Sequence, residues 1–215
     1  ASVYLIDPRV ADISVPVAIG VSLATLLVSW LVYDGSCRSP LGRHSWALSA
    51  MIGVLLVLLS WGLCQIYNGR GTFIHVGAAI GTIMVANVFF VIIPNQRDLV
   101  AAVKEGRDPD PAKGKAGLAR SRHNNYLTLP VVFTMFSSHY PATYSHEWNW
   151  LLLVLVMAAS ALVRDYFNSR ASSQSRVWVL PVAAVLLVAA MALTLPRSPL
   201  PSDESESAAA SPATG

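Results

Sequence analysis

The sequence predicts an all-α membrane protein, a bundle of about six transmembrane helices with N-terminus and C-terminus outside. Three observations carry this. Of the 215 residues, 54% are hydrophobic and only 13% charged, about half the charged share of a soluble domain, whose surface must face water. Six stretches meet or approach the roughly 20 apolar residues needed to cross the hydrocarbon. The basic residues divide unevenly between the segments that join those stretches.

In chain order the spans fall at 13–33, 46–67, 73–93, 126–140, 148–163 and 178–195. The fourth is short and holds Pro130, which removes a backbone donor and points to a kinked, thin or partly re-entrant segment. Aromatic side chains bracket the set as amphipathic rings at headgroup depth do. Trp30, Tyr33, Trp46, Tyr126, Tyr166 and Trp178 belong to one interface, and Tyr67, Tyr140, Trp148 and Trp150 to the other. Trp61 lies deeper and does not fit the belt.

Orientation follows from the cations. The segments after the first, third and fifth spans carry Arg38, Arg43, Arg97, Lys104, Arg107, Lys113, Lys115, Arg120, Arg122, Arg164, Arg170 and Arg176. The opposite side has Arg9, Arg70 and Arg197. Such a split places the basic side in the cytoplasm. The basic stretch 94–122 is expected as a solvated cytoplasmic loop near anionic headgroups. Residues 1–195 thus form the transmembrane domain, and 196–215, rich in Pro, Ser and Ala, a flexible tail or linker outside.

Composition also excludes. A net charge of +3 without an aromatic-interleaved basic stripe gives no reason to expect nucleic acid. Cys37 and Cys64 fall at opposite ends of the bundle and are not expected to bridge. Residues 1–14 have no signal-peptide pattern, and no P-loop, GxGxxG, CxxC, CxxCH or HExxH occurs.

Polar side chains inside a membrane are costly, so each is a functional candidate. The topology gathers Gln65, His75, His139 and Tyr140 at similar depth on the outer side, with Asn87 deeper in the third span. Two histidines on different helices at matched depth are an arrangement that ligates haem iron from both faces. They equally suit a polar substrate, a proton relay or an interfacial hydrogen bond. His44 is expected in solvent, and His146 in the outer loop is open between these uses. Gly77 and Gly81 make a GxxxG, expected to bring the third helix close to a neighbour. At the entrance to the fourth span, His123, Asn124 and Asn125 exceed what one helix cap needs.

The segments GTFIHVGAAIGTIMVANVFFVIIPNQR (71–97) and SRHNNYLTLPVVFTMFSSHYP (121–141) resemble the membrane domain of the cytochrome-c-linked urate oxidase (urate hydroxylase) family. YLIDP (4–8), SWLVYDGSCRSPLG (29–42) and HEWNWLLLVLVMAASALVRDYFNSR (146–170) follow in the same order. The resemblance covers roughly 4–195. It implies an eight-helix-type membrane domain in the bacterial inner membrane, followed by a periplasmic cytochrome c. Urate would be oxidised to 5-hydroxyisourate, in purine catabolism, with electron transfer through the c-type haem. The family's first helices and its cytochrome domain have no counterpart within these 215 residues.

Topology, rather than the family, supplies the candidate residues. His75, His139 and Tyr140 are the catalytic candidates; Gln65, Asn87, His123, Asn124 and Asn125 the substrate-binding ones. His75 and His139 are candidate haem ligands. The haem would be b-type in the bundle or c-type on a partner. The expected partners are the lipid bilayer, urate and a c-type cytochrome. The competing expectation is a non-catalytic subunit packed in a larger respiratory or photosynthetic complex. Transport, or a quinone-binding module, is a third: broken helices at paired inverted positions would mark transport, and only the fourth span is irregular.

Overall fold

The structure, a computed structural model, describes residues 6–170 and 176–195; the expected tail at 196–215 lies outside the described residues. Among these residues all regular structure is helical. The helices are α1 (Val15–Arg38), α2 (Ser45–Cys64), α3 (Gly69–Asn87), α4 (Ile93–Lys104), α5 (Pro111–Ser137), α6 (Pro141–Tyr144), α7 (Asn149–Arg170) and α8 (Val179–Thr194). A 3₁₀ turn at Pro40–Arg43 joins α1 to α2, and a π turn at Val88–Ile92 runs α3 into α4.

Val15–Arg38, Ser45–Cys64, Gly69–Lys104 and Asn149–Arg170 are long and apolar enough to cross a membrane. α8 is apolar but shorter, and α5 is polar over its first half. Large apolar side chains cover the outside: Leu23 is 63% exposed, Val54 58% and Val185 67%. Solvent water does not tolerate that much contiguous apolar surface. This is the surface of a membrane protein.

α3 is the centre. It buries Phe73, His75, Val76, Ala79, Ile80, Ile83, Ala86 and Asn87, packing against α1, α2 and α5. Asn68 starts it, its side chain accepting from the Gly71 N–H at 2.8 Å. A Cβ at Gly77 would strike the Thr134 side chain of α5, so α3 and α5 approach closely there. Gly81 meets nothing within 4 Å. Of the two glycines expected to mediate close packing, only Gly77 does so.

Residues 94–122, expected as a loop, are mostly helical. α3, the π turn and α4 form one rod of 36 residues, about 54 Å at 1.5 Å per residue. A hydrocarbon layer is roughly 30 Å thick, so the rod outreaches it. α4 ends with Gly106 at φ +70°, the Gly106 N–H on Val103 C=O and the Arg107 N–H on Ala102 C=O. That is a left-handed glycine stop with both of its closing hydrogen bonds. Asp110 then caps α5, accepting from the Ala112 N–H at 2.8 Å, and Pro111 opens the helix. Asp98 holds the hairpin through Lys113 at 2.9 Å.

The fourth apolar span therefore belongs to a helix that starts at Pro111 rather than at 126 and passes through Pro130 without ending. Charge hid this helix from a hydropathy reading, while its caps were in the sequence. Cys37 and Cys64 are free thiols.

A buried polar network and two cavities

Near the arginine-rich end, three helices close on a polar network. α1 contributes Tyr33, Asp34 and Arg38; α3 contributes Asn87; α5 contributes Arg120, His123 and Asn124. Arg120 is only 6% exposed. Its guanidinium donates to Asp34 at 2.7 Å and to the Asn87 carbonyl oxygen at 3.1 Å, and lies 5.0 Å from the Tyr33 ring centroid. Arg38 pairs with the same Asp34 at 2.6 Å. A buried cation needs such partners, because desolvation otherwise outweighs what it gains.

Hydrogen-bond direction can be traced through the network. The Asn87 amide donates to Tyr33 Oη at 3.0 Å and to Asn124 Oδ1 at 2.8 Å. The Asn124 amide donates onward to Met84 C=O at 2.9 Å. Tyr33 Oη lies 2.7 Å from His123 Nδ1, and because Asn87 already donates to Oη we assign Tyr33 as the donor to Nδ1. Neutral His123 then carries its proton on Nε2. Nε2 has no hydrogen-bond partner among the described residues. The one sealed side-chain nitrogen or oxygen without a partner among them is Thr72 Oγ1, so Nε2 opens onto cavity space.

Two cavities meet at His123. One, of about 590 Å³, is the more polar of the two, with Cys37, Arg38, Asn95, Lys115, Arg120 and His123 beside Leu48, Phe90 and Val91. Lys115 makes no ion pair among the described residues and brings an uncompensated cation to the wall. The other, of about 670 Å³, is an apolar groove between α2, α5 and α7.

The outer candidates do not converge in the same way. His75 is buried between α1 and α3. Its Nδ1–H donates to Gly71 C=O at 2.6 Å, its Nε2 is 2.7 Å from Ser22 Oγ, and its ring stacks on Tyr67 at 4.2 Å. Tyr67 in turn donates to Ala18 C=O at 2.7 Å. Both nitrogens thus have protein partners in this arrangement. His139, Tyr140 and Gln65 are exposed, and neither of the two cavities touches these four residues. Among the described residues no group of three or more His, Cys, Asp or Glu is placed to hold a metal ion.

Of the substrate-binding candidates, Asn87, His123 and Asn124 share the inner network. Asn125 turns to α7 instead, accepting from Arg164 and from Asn168. His44 is exposed, as expected, and His146 accepts from the Trp148 N–H at 3.0 Å. Tyr33, Asp34, Arg120 and Cys37 were not among the expected residues. For Arg120 the signal was spacing: Gly117, Arg120, Asn124, Leu127, Thr134 and Ser137 keep the three-and-four rhythm of one face of α5.

Fold and site together define a helical membrane protein whose core helices hold a buried polar network beside a half-open basic cleft. The urate oxidase N-terminal family model matches residues 1–195. The chain belongs to that family and is a urate oxidase-related membrane domain. No curated protein and no solved structure matches it.

Proposed function

We propose that this chain is the membrane domain of a urate-oxidising oxidoreductase and that urate binds in the polar cavity beside Arg120. The observation that carries the reading is this cavity's wall: Arg38, Lys115, Asn95 and His123 around a buried guanidinium, inside a member of the urate oxidase N-terminal family. Urate at neutral pH is a flat anion with several N–H and C=O groups. Cations and amides that bond in fixed directions suit it, and about 590 Å³ falls within the range of small-molecule sites. Conversion to 5-hydroxyisourate takes up one water and releases two protons and two electrons. The electrons leave for a c-type cytochrome, one per haem. The charge split makes the arginine-rich end cytoplasmic, with α5 and α8 completing six spans in a bacterial inner membrane, so urate enters from the cytoplasm.

The test is urate binding to the full chain in nanodiscs by calorimetry, together with urate-dependent reduction of an added c-type cytochrome. Urate should bind saturably. Lys115→Ala should weaken binding about tenfold, the loss of one charge-assisted bond of roughly 1.4 kcal/mol. Arg120→Gln should weaken it further. Absence of urate binding by folded wild-type chain, or equal affinity in both variants, sinks the reading.

A further inference from the structure

We infer that the apolar groove between α2, α5 and α7 binds a lipophilic quinone, its carbonyl head at His123 and its chain along the helices. The groove goes beyond the polar cavity and stands whether or not urate is that cavity's ligand.

Its shape comes first. The lining runs from Ser49 to Leu58 on α2, from His123 to Pro130 on α5 and from Val154 to Asp165 on α7. At 1.5 Å per residue those stretches are roughly 10 to 16 Å long, so the groove follows the helices. Its volume of about 670 Å³ admits a ring with part of a chain. Nearly all of the wall is aliphatic. The polar side chains, Ser49, His123, Tyr126 and Asp165, sit at the arginine-rich end. An occupant must therefore have a small polar head and a long apolar remainder.

Charge and hydrogen bonding then choose between a quinone and a phospholipid. Among the described residues no Lys or Arg lines the groove, and Asp165 at its polar end would repel a phosphate. Asp165 is also occupied, accepting from Tyr126 at 2.8 Å and from Arg176 at 3.3 Å. What remains for a ligand is uncharged. His123 lines this groove as well as the polar cavity, and its Nε2–H, the tautomer assigned from Tyr33, has no protein partner among the described residues. The Tyr126 C=O is an acceptor, because Pro130, four residues on, has no N–H to give it. Three residues apart on α5, the donor can serve a quinone carbonyl and the acceptor a quinol hydroxyl. Two other features leave room for the ring: Gly53 and Ala161 lie on opposite walls, and a Cβ at Gly53 meets no atom within 4 Å.

The experiment uses the full chain in phosphatidylcholine nanodiscs and two probes, tritiated decylubiquinone and an azido-ubiquinone for photocross-linking. Saturable binding is expected, with cross-links confined to 49–58, 123–130 and 154–165. Ala161→Phe should reduce decylubiquinone affinity at least tenfold, and Gly53→Leu, approaching from the other wall, should do the same. Both should leave urate affinity within twofold of wild type. Circular dichroism identifies any variant that fails to fold, and the other wall then decides. His123→Phe should lower quinone affinity about fivefold. Non-saturable binding, cross-links elsewhere, or undiminished affinity in the folded wall variants would overturn the inference. So would displacement by excess phosphatidylglycerol as effective as displacement by unlabelled quinone, since the groove would then be a slot for any acyl chain.

Discussion

At the scale of single residues, Arg120 and Tyr33 decide what the network can do. Arg120 brings a charge into a place that only Asp34 and Asn87 make tolerable. Tyr33 passes hydrogen-bond direction from Asn87 to His123. Replacing Tyr33 by Phe should remove the donor to His123 Nδ1 and cost about 1 kcal/mol of stability. Histidine ¹⁵N spectra of the labelled protein check the direction. Wild type should show His123 protonated at Nε2 and bare at Nδ1, and Tyr33→Phe should show a mixture. A wild-type proton on Nδ1 would reverse the network. Part of this was legible in the sequence: Asn87, His123 and Asn124 stood out as polar residues in apolar company. Asp34 and Arg120 did not, because a charge near the end of a span looks like an ordinary snorkelling side chain. Only the third dimension brings them 2.7 Å apart.

Among elements, the α3–α5 contact determines whether the network assembles. It narrows at Gly77, where α5 presents Thr134. Association in lipid depends on packing rather than on expulsion of water, so small residues matter where helices cross. Gly77→Ala should lower stability by roughly 1–3 kcal/mol through overpacking, read as thermal unfolding in detergent. Gly81→Ala, facing open space, should be nearly neutral. Equal effects at both positions would contradict the geometry. The sequence showed a GxxxG but not which glycine is in contact, since that depends on the partner helix. The helical form of the α4–α5 connection was likewise not legible. Hydropathy detects lipid-facing helices, whereas this hairpin is held by Asp98, Lys113 and the stop at Gly106.

For the whole molecule, the distribution of charge and apolar surface predicts placement in the bilayer. Alkaline phosphatase fused after Asn68 should be active and green fluorescent protein there dark; after Asp108 the outcomes should reverse. The opposite pattern would invert the orientation and place the polar cavity on the other side of the membrane. The membrane character and helical class were readable because they depend on composition and apolar run length. The location of the pocket was not, because it depends on which polar faces meet. One consequence of the π turn at Val88–Ile92 belongs at this scale. Such a turn winds one additional residue into a helix. Asn87 and Asn95, eight apart in sequence, would stand about 80° apart in strict α register. With one residue absorbed they stand as a seven-residue pair, about 20° apart. The turn thus absorbs one residue while keeping the network on α3 and the cavity wall on α4 in phase, so a single deletion within Val88–Ile92 should be taken up as unbroken α-helix with the phase kept, whereas one further inserted residue would swing Asn95 about 100° off the face that Arg120 and His123 share.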